Sequence, residues 1–205
     1  MCVSLQLSAV GMGIPIWLFY FVFNGIFTSI GLAVVYFGIY PATPAADGKI
    51  ATLASLDLGY AYLGAFVMKV GIMLLGINLG GARATAKVEV PDQQCYQVKG
   101  AEGSKLGYVL METEGAIGEF NRAQRALQNF NENFPLFVVM YFLASFVFPF
   151  AAFVCTAVFM AFRVMGAVGY TSATDGRLGG TMLAGLTNAV VEAMVLLVGV
   201  KAVTA

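Results

Sequence analysis

The chain has 205 residues, 60% hydrophobic and 11% charged, with a mean hydropathy of +0.83. A soluble domain is nearer half apolar and a quarter charged, so this is the composition of a polytopic membrane protein. Eleven basic residues balance eleven acidic ones, which gives no electrostatic footprint for nucleic acid, and the lack of histidine excludes Ser-His-Asp triads, His-ligated haem and most zinc sites.

A membrane span needs about 20 mainly apolar residues. The first qualifying segment is residues 14–40, closed by the breaker Pro41-Ala-Thr-Pro44. Its apolar run is too long for a signal peptide and no basic stretch precedes it, so it is expected to be a mature transmembrane helix. The second is 59–79. The third, 119–148, is polar in its first half. Pro149 separates it from the fourth, 150–169, and a Gly-rich turn, Asp175-Gly-Arg177-Leu-Gly-Gly180, leads into the fifth, 181–203. The only sizeable loop expected is 83–118, with Arg83, Lys87, Lys99 and Lys105. Arg122, Arg163 and Arg177 fall on the same side, and only Lys49 and Lys201 on the other. That basic bias places the loop and the amino terminus in the cytoplasm or its equivalent. Cys2, Cys95 and Cys155 are far apart, with neither metal spacing nor a disulfide framework. No metal site is expected, and Cys155 reads as a small packing residue.

The third segment holds the most informative stretch. Arg122, Arg125, Asn129 and Glu132 recur at i, i+3, i+7 and i+10, so on a helix they share one face. Polar side chains in a membrane helix point into a bundle and by default mark a site. A cation, an amide and an anion on one stripe suit a small zwitterionic ligand; an interhelical hydrogen-bond network is the alternative. Arg177 sits in a short turn on the same side, where an anchoring role is the simpler reading. Arg163 reads as a snorkelling anchor, and Tyr170 as either a site or an interface residue. Lys69 and Glu192 each lie near mid-span. A lone charge there is costly, so a direct contact between them is expected.

The run Glu119-Phe-Asn-Arg122-Ala-Gln-Arg125-Ala-Leu-Gln-Asn129-Phe-Asn-Glu132-Asn-Phe-Pro135 resembles the signature of the MAPEG family, the membrane-associated proteins in eicosanoid and glutathione metabolism, in the pattern Arg-Ala-x-x-Asn-x-x-Glu-x-x-Pro. The stretch 77–91, Ile-Asn-Leu-Gly-Gly-Ala-Arg83-Ala-Thr-Ala-Lys87-Val-Glu89-Val-Pro, is similar to the same region of the microsomal glutathione transferases. Arg163-Val-Met-Gly-Ala-Val-Gly169-Tyr170, followed by Arg177, is a third match. The resemblance runs from about Leu58 to the end. It implies an all-α, up-down four-helix transmembrane domain at 49–205 that forms homotrimers, with glutathione as co-substrate held between subunits at the cytoplasmic end. Residues 1–48 would then be an added transmembrane helix and linker. The resemblance implies that Arg125 holds a glutathione carboxylate and Asn129 its backbone. Glu132 would take the γ-glutamyl ammonium, Tyr170 would line the site with Arg122 nearby, and Arg177 would face the sulfur as the catalytic residue. The chain departs from the family at Gly166 and Asn133, where enzymes often carry tyrosines, and at Leu127, where a polar residue is frequent.

Two functions follow from this resemblance. One is a glutathione transferase or peroxidase acting on lipophilic electrophiles or lipid hydroperoxides in the endoplasmic reticulum or another organelle membrane. The other is a non-catalytic subunit of a larger membrane complex, since the family includes a lipid-presenting member without catalysis. A transporter or channel is disfavoured by the lack of broken helices and of a polar path.

Overall fold

The computed structural model describes residues 16–90, 92–99 and 108–205. In chain order these form α1 (Ile16–Val34), extended by a π-helical turn at Val35–Ile39, α2 (Ala46–Ser55), α3 (Gly59–Ala86), β1 (Tyr96–Lys99), β2 (Tyr108–Met111), α4 (Gly115–Val147), α5 (Pro149–Ser172) and α6 (Leu178–Thr204). Among the described residues, five helices are long and apolar enough to cross a membrane: Leu18–Ile39, α3, α4, α5 and α6. The protein is therefore an integral, multi-pass membrane protein, and its described residues are helical apart from one pair of short strands. The start of the first expected span, together with Cys2 and Lys105, lies outside the described residues.

The expected loop is shorter than its polarity suggested. Helix α3 continues to Ala86 and stops at Lys87, which adopts a left-handed conformation (φ 56°) while Val88 N–H donates to the Arg83 carbonyl at 3.1 Å. Helix α4 begins at Gly115. Between them β1 and β2 pair antiparallel, Tyr96 opposite Met111 and Lys99 opposite Tyr108. Pro149 opens α5 as its first residue, where a missing N–H costs nothing, so α4 and α5 are joined by Phe148 alone. Pro135 lies inside α4, and the helix runs through it.

Helix α5 occupies the centre, packed against α3, α4 and α6. Small residues set these contacts. Gly64 of α3 leaves room for the buried ring of Tyr141, where an added methyl would overlap the phenol. The Tyr141 hydroxyl donates to the Ala61 carbonyl at 2.8 Å. Gly71 likewise admits Met160. Phe137 of α4 stacks on Phe159 of α5, centroids 3.9 Å apart. Between α5 and α6 the backbones themselves meet: a Cβ added at Gly180 would lie 2.5 Å from Gly166 N. This close approach through small residues is a common device in membranes, where apolar side chains gain nothing from leaving lipid. Helix α1 lies against α3, and its membrane-spanning stretch has no buried residue.

This arrangement overturns one expectation. Lys69 and Glu192 do not meet within the chain. Helices α3 and α6 pack on α5 rather than on each other. The Lys69 ammonium lies 3.4 Å from the Thr28 hydroxyl of α1, and Glu192 accepts from Asn188 at 2.6 Å. Among the described residues, the one ion pair formed is Arg125–Glu132. Equal depth is not enough for contact. The interhelical order puts the two charges on different sides of the bundle.

Candidate functional site

Helices α4, α5 and α6 leave an open-sided cavity of about 170 Å³ near the hairpin end of the bundle. Helix α4 contributes Arg125 and Asn129, α5 contributes Arg163, Gly166 and Tyr170, and the start of α6 contributes Arg177 and Thr181. Leu75 and Phe130 add apolar wall. Four of the expected site residues, Arg125, Asn129, Tyr170 and Arg177, therefore converge although they come from three helices.

Helical spacing puts them there. Arg125 and Asn129 are one turn apart on α4, and Arg163, Gly166 and Tyr170 recur at i, i+3 and i+7 on α5. Arg177 immediately precedes α6, and its guanidinium lies 5.1 Å from the Tyr170 ring centroid, a cation–π contact across the short connection. Arg125 Nη1 bonds Glu132 Oε1 at 3.1 Å across two turns of α4. Both side chains are more than two-fifths exposed, so the pair adds little to stability. Its importance is chemical: a ligand carrying one carboxylate and one ammonium could take over both partners without leaving either charge alone.

Arg163 is not the anchor its position suggested. Its Nη2 donates to Asn129 Oδ1 at 3.1 Å, and its guanidinium sits 5.5 Å from the Phe130 ring centroid, on the cavity wall. The sequence does carry the signal, because Arg163 and Tyr170 are seven residues apart and so lie on one helix face. Arg122, by contrast, is not among the residues lining this cavity. Its Nε donates to the carbonyls of Tyr170 and Thr171 at 3.0 and 3.1 Å, and its Nη1 to the Thr113 carbonyl at 2.7 Å. It closes the C-terminus of α5, where free carbonyls and the helix dipole favour a cation, and so fixes Tyr170.

Asn121 was not singled out from the sequence. It is buried, donates to the Cys95 and Glu112 carbonyls at 2.8 Å each, and accepts from Cys95 N–H at 2.9 Å, which pins the hairpin to α4. Arg83 lies over the Phe120 ring and donates to the Glu89 carbonyl, bracing the same end.

A second cleft of about 320 Å³ continues from the cavity, sharing Asn129, Phe130, Arg163 and Thr181. It runs along α4 and α6 past Asn133, Phe137 and Met140 to Asn188 and Glu192. Gly166 lets α5 and α6 approach closely beside the first cavity. A Cβ there would lie 3.3 Å from Thr181 N, so α6 stands in tight contact with α5 at this position.

These features define a multi-pass helical membrane protein with a cationic, amide-bearing cavity at one end of its bundle. The chain belongs to the MAPEG family, which it matches over residues 60–197, from the first turn of α3 into the last third of α6. A comparison with curated proteins finds no match. Helices α1 and α2 precede the matched region.

Proposed function

We propose that the chain is a membrane glutathione transferase or peroxidase of the MAPEG family, built as a four-helix bundle with α1 added outside it and working as a homotrimer in the endoplasmic reticulum or another organelle membrane. The observation that supports this is the convergence of Arg125, Asn129, Tyr170 and Arg177 on one cavity, with Glu132 paired to Arg125 at its edge. In this reading Arg125 and Glu132 exchange their mutual ion pair for a carboxylate and the ammonium of glutathione. Asn129 is held for the peptide backbone by Arg163, and Arg177 faces the sulfur. A thiol of pKa about 8.5 is mostly protonated at neutral pH. A cation within a few ångströms lowers a pKa by about 1–3 units, enough to make the thiolate the major form. The thiol proton leaves to water, and the thiolate then attacks an electrophilic carbon as that carbon's leaving group departs, or attacks the distal oxygen of a lipid hydroperoxide. There the O–O bond breaks, the lipid alkoxide takes a proton and leaves as the alcohol, and a second glutathione reduces the glutathione sulfenic acid to glutathione disulfide and water. The cavity is smaller than the several hundred cubic ångströms usual for a ligand of this size. That suits a site completed by a neighbouring subunit.

The test uses the full chain in detergent, with glutathione and a generic aromatic electrophile. Thiolate absorbance and conjugation are expected together. Arg177→Ala should lower turnover while leaving glutathione affinity near normal, because that interaction is used mainly with the charged sulfur. Arg125→Ala should mainly weaken binding. Full turnover and an unchanged pH profile in Arg177→Ala would refute the assignment.

A non-catalytic accessory role is the second reading, and Gly166 favours it. The tyrosine that family enzymes often carry there is replaced by a glycine whose added Cβ would lie 3.3 Å from Thr181 N, a tight contact with α6. Folded protein with neither thiolate absorbance nor conjugation supports this reading.

A further inference from the structure

A further cavity, of about 450 Å³, lies at the end of the bundle away from the hairpin. Its walls are Leu53 of α2, Ala61 and Ala65 in the first two turns of α3, and Phe142 and Phe146 in the last two turns of α4. The lining is mostly apolar, but Ser145 of α4 belongs to it. That side chain is 1% exposed, and its hydroxyl has no hydrogen-bond partner among the described residues. A serine or threonine in a helix commonly bonds the carbonyl four residues back, as Thr171 does with Ala167, and Ser145 does not. A bare hydroxyl is costly to bury and calls for an acceptor. The cavity opens sideways, since Tyr62, Phe142 and Phe146 at its edge are at least half exposed on helices that cross the membrane.

We propose that this cavity holds one acyl chain of a glycerophospholipid, with the Ser145 hydroxyl donating to its ester carbonyl. Depth supports the occupant. Ser145 is two residues from the end of α4, about 3 Å at 1.5 Å per residue. It therefore stands at the edge of the span, where the hydrocarbon core gives way to the polar layer that holds ester groups. The chain below the ester runs inward past Phe142 and Ala65. Charge supports it too. Lys49 lies one turn before Leu53 on α2, exposed and without an ion pair among the described residues, while Asp47 beside it is engaged by the Tyr40 hydroxyl. Lys49 thus supplies a cation for the phosphate. Size argues against a protein segment. A helix about 10 Å across fills roughly 400 Å³ per turn, so the cavity has room for about one turn, whereas an acyl chain is slender and flexible. Leu53 precedes the stretch that matches the family, so this wall is an addition of the chain's own. The inference concerns the opposite end of the bundle from the candidate glutathione site and needs none of its chemistry.

Native mass spectrometry of the full chain, released from detergent and titrated with dioleoyl phosphatidylcholine, tests it. One lipid per chain is expected to be retained more tightly than any further ones. The diether analogue, which lacks carbonyls, should bind about threefold more weakly, the mean for one polar contact within membranes. Ser145→Ala should abolish that preference and leave the affinity for the ether lipid unchanged, whereas a merely structural serine would move both lipids alike. Ala65→Phe, which fills the cavity, should release the lipid. If that variant fails to fold, Leu53→Asp on α2, outside the bundle, puts a charge in the same wall and should release it instead. Dioleoylglycerol, which lacks the phosphate, should bind more weakly than the phospholipid, and Lys49→Gln should narrow that gap. Equal affinity for ester and ether lipids in the parent chain overturns the proposal, as does undiminished retention in Ala65→Phe or, failing that, in Leu53→Asp. Equal affinity for dioleoylglycerol overturns the phospholipid as occupant. Folded protein that retains no lipid also overturns the proposal, whatever glutathione does at the other end of the bundle.

Discussion

Gly180→Ala probes the contact that shapes the candidate site. The added methyl would sit 2.5 Å from Gly166 N, 2.6 Å from Gly166 Cα and 2.7 Å from the Phe162 carbonyl oxygen, all backbone atoms that cannot turn aside. Carbon contacts are comfortable at about 3.5–4.0 Å, so α6 must withdraw by roughly 1 Å. Overpacking of this kind costs about 1–3 kcal/mol. Replacing glycine by alanine inside a helix also returns about 0.8–1 kcal/mol of intrinsic propensity, which would mask part of the cost. Gly199→Ala is the matched control, since an added methyl there meets nothing within 4 Å. At about 2–4 °C per kcal/mol for a chain of this size, Gly180→Ala should melt about 2–12 °C below Gly199→Ala in detergent. Arg177 and Thr181 flank the substituted position, so the withdrawal should also widen the cavity and weaken glutathione binding. Equal melting temperatures for the two variants would refute the close α5–α6 packing.

Asn121→Ala should release the hairpin, because it removes three hydrogen bonds to Cys95 and Glu112; maleimide labelling of Cys95, in a chain lacking the other two cysteines, should accelerate, and an unchanged rate would show the hairpin is held elsewhere. Arg122→Met should cost about 1.5–3 kcal/mol of stability, the range for a charged hydrogen bond, and shift glutathione affinity less than Arg125→Ala does. Loss of glutathione binding with unchanged melting would return Arg122 to the ligand site, where the family resemblance put it. Gly166→Tyr should lower the melting temperature and fail to raise turnover, since its Cβ already lies 3.3 Å from the α6 backbone; a gain in activity would mean that α6 yields readily.

The spans were legible because bilayer thickness fixes the length of an apolar run, and α3 to α6 fall where hydropathy puts them. The stripe Arg122, Arg125, Asn129 and Glu132 was legible because helical period alone places residues on one face. Period does not say which helix that face meets. Arg122 and Arg125 share a stripe, yet Arg122 closes the end of α5 while Arg125 enters the cavity with α5 and α6. Arg163 looked like an anchor by its depth and proved to be a wall of the site, because α5 turns that face toward α4. The hairpin escaped notice because its strands are four residues each, stabilised by Asn121 from a distant part of the chain. Lys69 and Glu192 were rightly read as charges near mid-span, but the sequence could not reveal that α5 keeps their helices apart. Local periodicity and hydropathy are properties of one segment. The arrangement of the helices depends on glycine contacts such as Gly64 of α3 with Tyr141 of α4 and Gly166 of α5 with Gly180 of α6, and these exist only once separate segments are brought together.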